Sequence, residues 1–522
     1  MNLFDRMIAY ANPEKAVKRV TARRKLEILN SGYGEHGASY SKKSLLGWIT
    51  KGLSADEDIA DNIETLRARS RDLYMGSPLA TGALKTVRTN VIGSGLMLNP
   101  RPDAEFLGIT QEQAEEFRKT VTREWDMWAG KKDCDAARTC TFYQLQSLVL
   151  LSALMSGDVF ATLPVIPRKG SVYDLRVSLI EADRVCDPLP KPIDKNIVQG
   201  VEVDKYGCPV AYYIAKNHPG STPRTPNDAK QEWKRVLAYG ETTGRRNVLH
   251  IMSDIERPGQ RRGVPLLAPV IEALKQMSRY THAELMAAVI SGMFTVFIKS
   301  ETPDNPLGSM IPGEAQVDND PQAYELGNGA IVGLAEGESI ETANPGRPNA
   351  NFDGFVLALC KQVGASLEIG YELLLKCFNS SYSASRASLL EAWKMFRMRR
   401  EWIVDCFCQP TYEEWLSEAV AKGRVIAPGF FTDPAIKAAW CRADWYGDSP
   451  GSLDPKNEAE AAKIRVEEGF STREREAAEL SGMTFDSIVQ IRAIEEEKRK
   501  AAGLIPDPVA SANNPKGKRG RR

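Results

Sequence analysis

Arg261-Arg-Gly-Val-Pro-Leu-Leu-Ala-Pro-Val270 opens the longest continuous helical pattern met up to that point in the chain. Pro265 and Pro269 suit the first turns of a helix, where a missing N–H costs least. Leu267, Val270, Ile271, Leu274, Leu285, Ala288 and Val289 then fall on one broad apolar face. Running to Gly292, the helix would be roughly 40 Å long at about 1.5 Å per residue. That face can cover the chain's own sheet or the same helix of a neighbouring copy, and the pattern does not apportion the two. Arg261 and Arg262 stand at the start, either meeting acidic groups across an interface or forming a solvated helix end.

Upstream of this stretch, residues 158–252 are rich in strand signals separated by Pro, Gly and Asn turns. Leu175–Ile180, Ile197–Val203, Ala211–Ala215 and Val248–Met252 are predicted strands of an antiparallel sheet or small barrel. Gly157-Asp-Val-Phe-Ala-Thr-Leu alternates like another. Before them the pattern is helical. Ile59, Ile63, Leu66, Leu73, Leu79, Leu84 and Val87 recur at helical spacing, with a break at Ser77-Pro78. Further helices are predicted over Gln111–Ala129 and Phe142–Met155, and Asn90–Leu96 reads as a helix end running into a strand.

Downstream, Met293–Ile298 alternates as a strand, and residues 301–330 are turn-rich. Ile331–Leu334 and Ser339–Glu341 read as short strands, Asn344–Asn351 as a loop, and Phe352 as the start of a helix. Ser385–Val420 is helical with a predicted interruption at Pro410, and it carries Arg397, Arg399 and Arg400. Pro455–Phe470 and Ser471–Lys500 complete the helices, with Ser471-Thr-Arg-Glu as a capping box for the second. The arm over residues 1–55 contains the basic run Val17–Lys25, which contacts nucleic acid, docks on another subunit or is solvated. The tail over residues 505–522, with five basic residues in its last eight, reads as disordered, with nucleic-acid contact as the alternative.

The 522 residues contain 68 Lys plus Arg and 68 Asp plus Glu, so the net charge is zero. That balance excludes a wholesale basic coat for nucleic acid and an acidic solvating chain. With 43% hydrophobic and 26% charged residues, the composition is that of a globular protein with a large core. No apolar run is long enough to span a bilayer, and the first residues show no apolar signal-peptide core. The nine cysteines match no zinc ribbon or knuckle spacing; Cys406-Phe-Cys408 reads as buried free thiols, with a metal site as the alternative. The chain therefore reads as cytosolic and reduced.

An enzyme reading finds little support in motifs. There is no G-x-x-x-x-G-K-[ST], H-E-x-x-H or G-x-S-x-G, and Gly93-Ser-Gly95 is too short for a dinucleotide fingerprint. Only four histidines are present. His250, on a predicted strand, reads as a satisfied structural histidine rather than a catalytic one. His282, mid-helix, reads as a packing residue rather than a pH switch or ligand.

Four ordered stretches resemble the portal proteins of tailed bacteriophages, of the lambda type. They are Arg67-Ala-Arg-Ser-Arg-Asp-Leu-Tyr-Met-Gly-Ser-Pro with Asn90-Val-Ile-Gly-Ser-Gly; Arg262-Gly-Val-Pro-Leu-Leu-Ala-Pro-Val-Ile; Gly364-Ala-Ser-Leu-Glu-Ile-Gly-Tyr with Ser380–Arg386; and Ala443-Asp-Trp with Asp454-Pro-Lys-Asn-Glu-Ala, Glu468-Gly-Phe-Ser-Thr-Arg-Glu and Glu476-Ala-Ala-Glu. The resemblance implies an α+β portal fold assembled as a ring, usually of twelve copies, at one capsid vertex. Its implied parts are a strand-rich wing over 56–260, a stem helix over 261–292 and a small clip with its return over 293–328. A second pass through the wing over 329–379 and a helical crown over 380–504 follow.

The implied partners are double-stranded DNA in the channel, the terminase large subunit, a head-tail adaptor, and the major capsid and scaffolding proteins, with no membrane and no cofactor. The implied location is the virion, after assembly in the host cytoplasm. The family's tunnel loop falls near 344–351, which makes Asn344, Arg347, Asn349 and Asn351 the DNA-facing candidates; an ordinary surface turn shaped by Pro345, Gly346 and Pro348 is the alternative. A family stem normally has a second helix returning from the clip, and residues 300–328 show no such pattern. The competing functional class is a metal-dependent nucleic-acid-processing enzyme, and a scaffold unrelated to DNA is a third.

Overall fold

The computed structural model describes residues 51–189, 196–222, 231–292, 296–300, 338–342, 351–378, 381–449 and 455–504, with Asp194 and scattered positions between 10 and 50. The chain divides into two compact units, Met1–Asp58 and Ile59–Arg522. In the first, Ser54 and Glu57 exchange side-chain and backbone hydrogen bonds as a capping box. The second unit carries the architecture that follows.

Helices α1 (Ile63–Gly76) and α2 (Pro78–Val91) meet at Ser77, which is extended because the residue before a proline is pushed out of the helical region. Strand β1 (Met97–Pro100) follows. Helices α3 (Gln111–Ala129) and α4 (Phe142–Ser156) each begin at a capping box, Thr110 with Gln113 and Thr141 with Gln144. Both helices agree with the sequence expectation because their amphipathic or wholly apolar patterns start on an unambiguous cap. Trp125 of α3 is buried edge-on against Phe142, Tyr412, Trp415 and Trp445, at ring-centroid distances of 5.1, 5.8, 5.1 and 5.9 Å. This aromatic cluster draws three distant parts of the sequence into one core.

Two antiparallel sheets come next. In the first, β2 (Asp158–Thr162) lies between β3 (Ser178–Glu181) and β8 (Val248–Met252), with Phe160 opposite both Ile180 and His250. The second has the order β4 (Ile197–Val198), β5 (Val201–Val203), β6 (Pro209–Ala215), β7 (Trp233–Leu237). A bridge from Val185 to Ile214 links the 3₁₀ turn after β3 to the second sheet. Two expectations are corrected, and one strand is not among those expected. Leu175–Ile180 is a strand only from Ser178. Ile197–Val203 is a hairpin rather than one strand, because Gln199 and Gly200 both take positive φ, 49° and 77°. Trp233–Leu237 is a strand that the polar residues Lys234 and Arg235 concealed. These charges lie exposed on an edge strand, where they discourage further pairing.

The long helix α5 is Ile271–Gly292, not Arg261–Gly292. A 3₁₀ turn, Ala268–Val270, precedes it, and residues 261–267 form a connector held by tertiary contacts. Its 22 residues span roughly 33 Å at about 1.5 Å per residue. Strand β9 (Val296–Ser300) pairs antiparallel with β10 (Glu338–Thr342) in a two-stranded ribbon. The predicted strand Ile331–Leu334 lies outside the described residues.

Helices α6 (Phe352–Ser366), α7 (Tyr371–Leu375) and α8 (Tyr382–Ile403) lead into a π-helical turn, Val404–Cys408, and directly into α9 (Gln409–Ala421). Pro410 therefore does not interrupt the helix. The wider turn before it absorbs both the ring and the missing donor, and Thr411 Oγ1 caps the Phe407 carbonyl at 2.7 Å. Strand β11 (Ala443–Tyr446) pairs with β1, closing the C-terminal part onto the start of the unit. Asp448 adds to that closure by accepting from Ser94 N at 2.7 Å and Ser94 Oγ at 2.6 Å. Helices α10 (Pro455–Glu467), α11 (Arg473–Ser481) and α12 (Phe485–Ala501) end the described chain. The cap of α11 is Thr472, not Ser471, because Thr472 accepts from Arg475 N while Glu474 turns to Asn99 and Arg101.

Candidate functional site

The connector that carries Arg262 is built into a buried polar cluster centred on Asp158. Asp158, at the first position of β2, is fully buried and faces two arginines and a histidine from three other elements. Arg67 of α1 donates from Nη2 to Oδ1 at 2.9 Å. Arg262 donates from Nε to Oδ2 at 2.7 Å and from Nη2 to Oδ1 at 3.2 Å. His250 of β8 places Nε2 3.2 Å from Oδ2, and Gly263 N donates to the same oxygen. Burial alone would raise this carboxyl; Arg262 and Arg67 overcome it and hold it well below the ordinary range. Burial lowers the His250 imidazole, against the opposing pull of Asp158. Burial and the neighbouring Arg262 push Arg67 down to about 10. His250 stacks on Phe160 at 4.2 Å, so its role is structural, as the sequence suggested.

Arg262 thus corrects both sequence readings of that residue: it is neither at an exposed interface nor on a solvated helix end, but 2% exposed inside its own subunit. Arg261 is the outward neighbour, donating to the Asn196 carbonyl at 2.7 Å. Beside this cluster lies a cleft of about 1130 Å³ lined by Arg71, Asp183, Arg184 and His218, among others. Several of its charged groups are engaged in the fold. Arg71 pairs with Asp183, and Arg184 donates to the carbonyls of Ala215 and Lys216.

The two ends of α5 differ sharply. At its root Leu267, Val270, Leu274 and Met277 are buried, and Lys275 approaches Asp72 of α1. Tyr280 stacks on Phe352 and meets Phe355 edge-on, both from α6. Beyond that point the apolar residues face outward: Leu285 is 61% exposed, Met286 46% and Val289 46%. His282 lies on this outer half and is exposed. The broad face expected from the sequence is therefore divided: Leu267, Val270 and Leu274 lie in the subunit core, while Leu285 and Val289 are exposed.

Of the DNA-facing candidates, Asn344, Arg347 and Asn349 lie outside the described residues. Asn351 is exposed and precedes α6, its carbonyl accepting from Phe355 N. The cluster Arg397, Arg399 and Arg400 is resolved into different tasks. Arg399 is buried near Asp254, Arg400 donates to the carbonyls of Asn90, Val91 and Asp448, and Arg397 is exposed. Cys408 is buried and Cys406 partly so, in the π-turn. Among the described residues no group of three or more His, Cys, Asp or Glu is placed to hold a metal ion, and no helix is long and apolar enough to cross a membrane.

Residues 41–400 match the phage portal protein, lambda family. The chain belongs to that family. Portal protein B of Escherichia phage lambda is 25% identical over 503 residues, covering 92% of each chain. The portal protein of Escherichia phage N15 is 26% identical over 506 residues, covering 92% of this chain and 93% of its own. Among solved structures, a chain from the virion of a native gene transfer agent particle aligns over 80% of this chain and 92% of its own, at 13% identity and a TM-score of 0.41. The function is accordingly that of a phage portal protein, and the family is structural rather than enzymatic.

Two stretches that carried the family resemblance prove to be spatial neighbours, since Arg67 of the first and Arg262 of the second bind the same carboxylate. Sequence reasoning missed Asp158. The signal was present: one acidic residue opening an otherwise apolar strand, Asp-Val-Phe-Ala, directly after Gly157.

Proposed function

We propose that this chain forms a closed ring at one capsid vertex, through which DNA enters during packaging and leaves during ejection. In that reading the sheets of residues 158–252 belong to the wing, α5 is the stem helix, the β9–β10 ribbon leads to and from the clip, and α8 to α12 lie on the crown side. The ring has about a dozen copies. Its partners are the terminase large subunit, a head-tail adaptor and the capsid and scaffolding proteins, with assembly in the host cytoplasm before the ring becomes part of the virion.

One observation supports the ring: the outer half of α5 leaves Leu285, Met286 and Val289 exposed, whereas Leu274 and Met277 at its root are buried. A heterologous contact repeated around an axis covers such a face in every copy at once. Zero net charge suits the conduit, because each firm phosphate contact would add salt-dependent grip and slow the passage of DNA. In the loop at 344–351, Arg347 is the residue able to pair with phosphate, and the three asparagines offer neutral contacts.

The test is to tag the C-terminus and image gold-labelled capsids made with the tagged chain. A single label cluster per capsid is expected. Label at all vertices, or at none, would overturn the proposal.

A further inference from the structure

We infer that Arg262 is the positioning residue that fixes the long helix to both wing sheets, so that α5 and the sheets move as one body. The proposal concerns what Arg262 does within one subunit; its consequence for DNA passage rests on the portal reading above.

A guanidinium has five N–H donors in a rigid planar fork. Arg262 presents them to five acceptors. Nε meets Asp158 Oδ2 at 2.7 Å, and Nη2 meets Asp158 Oδ1 at 3.2 Å and the Ala182 carbonyl at 2.7 Å. Nη1 meets the carbonyls of Val185 and Gln199, each at 2.6 Å. Those acceptors belong to β2 of the first sheet, the 3₁₀ turn that follows β3, and the β4–β5 turn of the second sheet. Through Asp158 the contact extends to Arg67 on α1 and His250 on β8. The arginine also lies over the Phe160 ring, 5.2 Å from its centroid.

The connector has little freedom of its own. Gly157 and Gly263 cross so closely that a Cβ on Gly157 would fall 2.2 Å from the Gly263 carbonyl oxygen, and one on Gly263 would fall 2.0 Å from the Gly157 oxygen. Ser253 Oγ donates to the Val264 carbonyl, and Leu266 N to that of Leu154. From Leu267 onward the apolar root of α5 is buried. A hinge needs backbone that can absorb a rotation. Between residues 262 and 270 the chain is held on its sheet side by the Arg262 side chain, the glycine crossing and the Ser253 and Leu154 hydrogen bonds, and on its helix side by apolar packing. A tilt of α5 must therefore displace β2, the 182–185 turn and the β4–β5 turn together, or break the Arg262 contacts.

Lysine at this position keeps the charge but has three donors at one point, so it cannot reach a carboxylate and three carbonyls from separate elements. The test compares full-length wild-type protein with Arg262→Lys, with Arg261→Lys as the outward control, by hydrogen exchange and by imaging of the assembled species. The expected result is exchange faster by about tenfold or more over both 263–275 and 182–203 in Arg262→Lys. Exchange over 121–129 in α3 should be unchanged, as should exchange over 263–275 in Arg261→Lys. Imaging should show assemblies of unaltered copy number with a broadened angle between stem and wing, and particles made with the variant should hold less DNA each.

Uniformly faster exchange, α3 included, would reduce Arg262 to a general stability contact and overturn the proposal. So would faster exchange confined to 261–264. Should Arg262→Lys fail to fold, His250→Gln, which removes one contact to Asp158 and leaves Arg262 in place, must give the same two-segment pattern in weaker form; its absence would overturn the coupling. If wild type itself proves monomeric, the ring reading fails, while the exchange pattern still decides the role of Arg262.

Discussion

The root and the outer half of the long helix are built from the same residue types and share one helical face, yet they stand in opposite environments. Leu274 is 1% exposed and Leu285 is 61% exposed. The root is surrounded by α1, α6 and the arginine-bound connector, so its apolar groups contribute to the stability of the single chain. On the outer half Leu285, Met286 and Val289 are exposed, so they contribute little to the stability of the single chain. Amphipathic periodicity reports that a face will be buried; it does not report by whom.

The comparison can be broken most severely at the root. Asp158→Asn would leave two buried arginines without their carboxylate, and a chemical denaturation series should show a loss of about 3–5 kcal/mol. A loss under about 1 kcal/mol would mean that the cluster is not the anchor described here. Leu274→Ala should cost about 2–5 kcal/mol in the same assay, as a truncation within a packed core.

Acid should act on the root in a defined direction. The His250 pKa is lowered in the folded protein, so below about pH 6.5 the unfolded chain takes up a proton that the folded chain resists. Stability therefore falls as pH drops through that range. The Asp158 pKa is depressed, so its contribution is present above about pH 3.9 and is lost as pH falls further towards its folded value. Both groups act in the same sense. Thermal unfolding at pH 7.5 and pH 5 should show a larger drop for wild type than for His250→Gln; equal drops would remove His250 from the account.

The outer half sharpens the comparison by its small effect on the chain itself. Leu285→Asp should change the stability of the unassembled subunit by no more than about 0.5 kcal/mol, as expected for an exposed site. It should nevertheless shift sedimentation from the assembled species to smaller ones. A destabilised subunit with assembly intact would reverse the assignment of the two halves.

Much of this was legible in the sequence, and for identifiable reasons. Helices α3 and α4 were readable because caps at Thr110 and Thr141 coincide with the onset of apolar pattern. Strand β8 was readable from its run of apolar residues. Pro410 misled because a π-turn, a tertiary accommodation with no local signature, lies just before it. Arg262 misled because an arginine beside helix-compatible prolines reads as surface, and its acceptors come from residues 158, 182, 185 and 199, which no local window contains. Of the DNA-facing candidates only Asn351 lies among the described residues, and its place before α6 agrees with the helix start expected at Phe352.

Native mass measurement combined with negative-stain imaging of the purified full-length chain tests the central claim most directly. The account predicts a ring of about a dozen subunits with an open centre, closed by one repeated contact. A compact monomer or dimer at high concentration, unchanged across salt conditions, would contradict it.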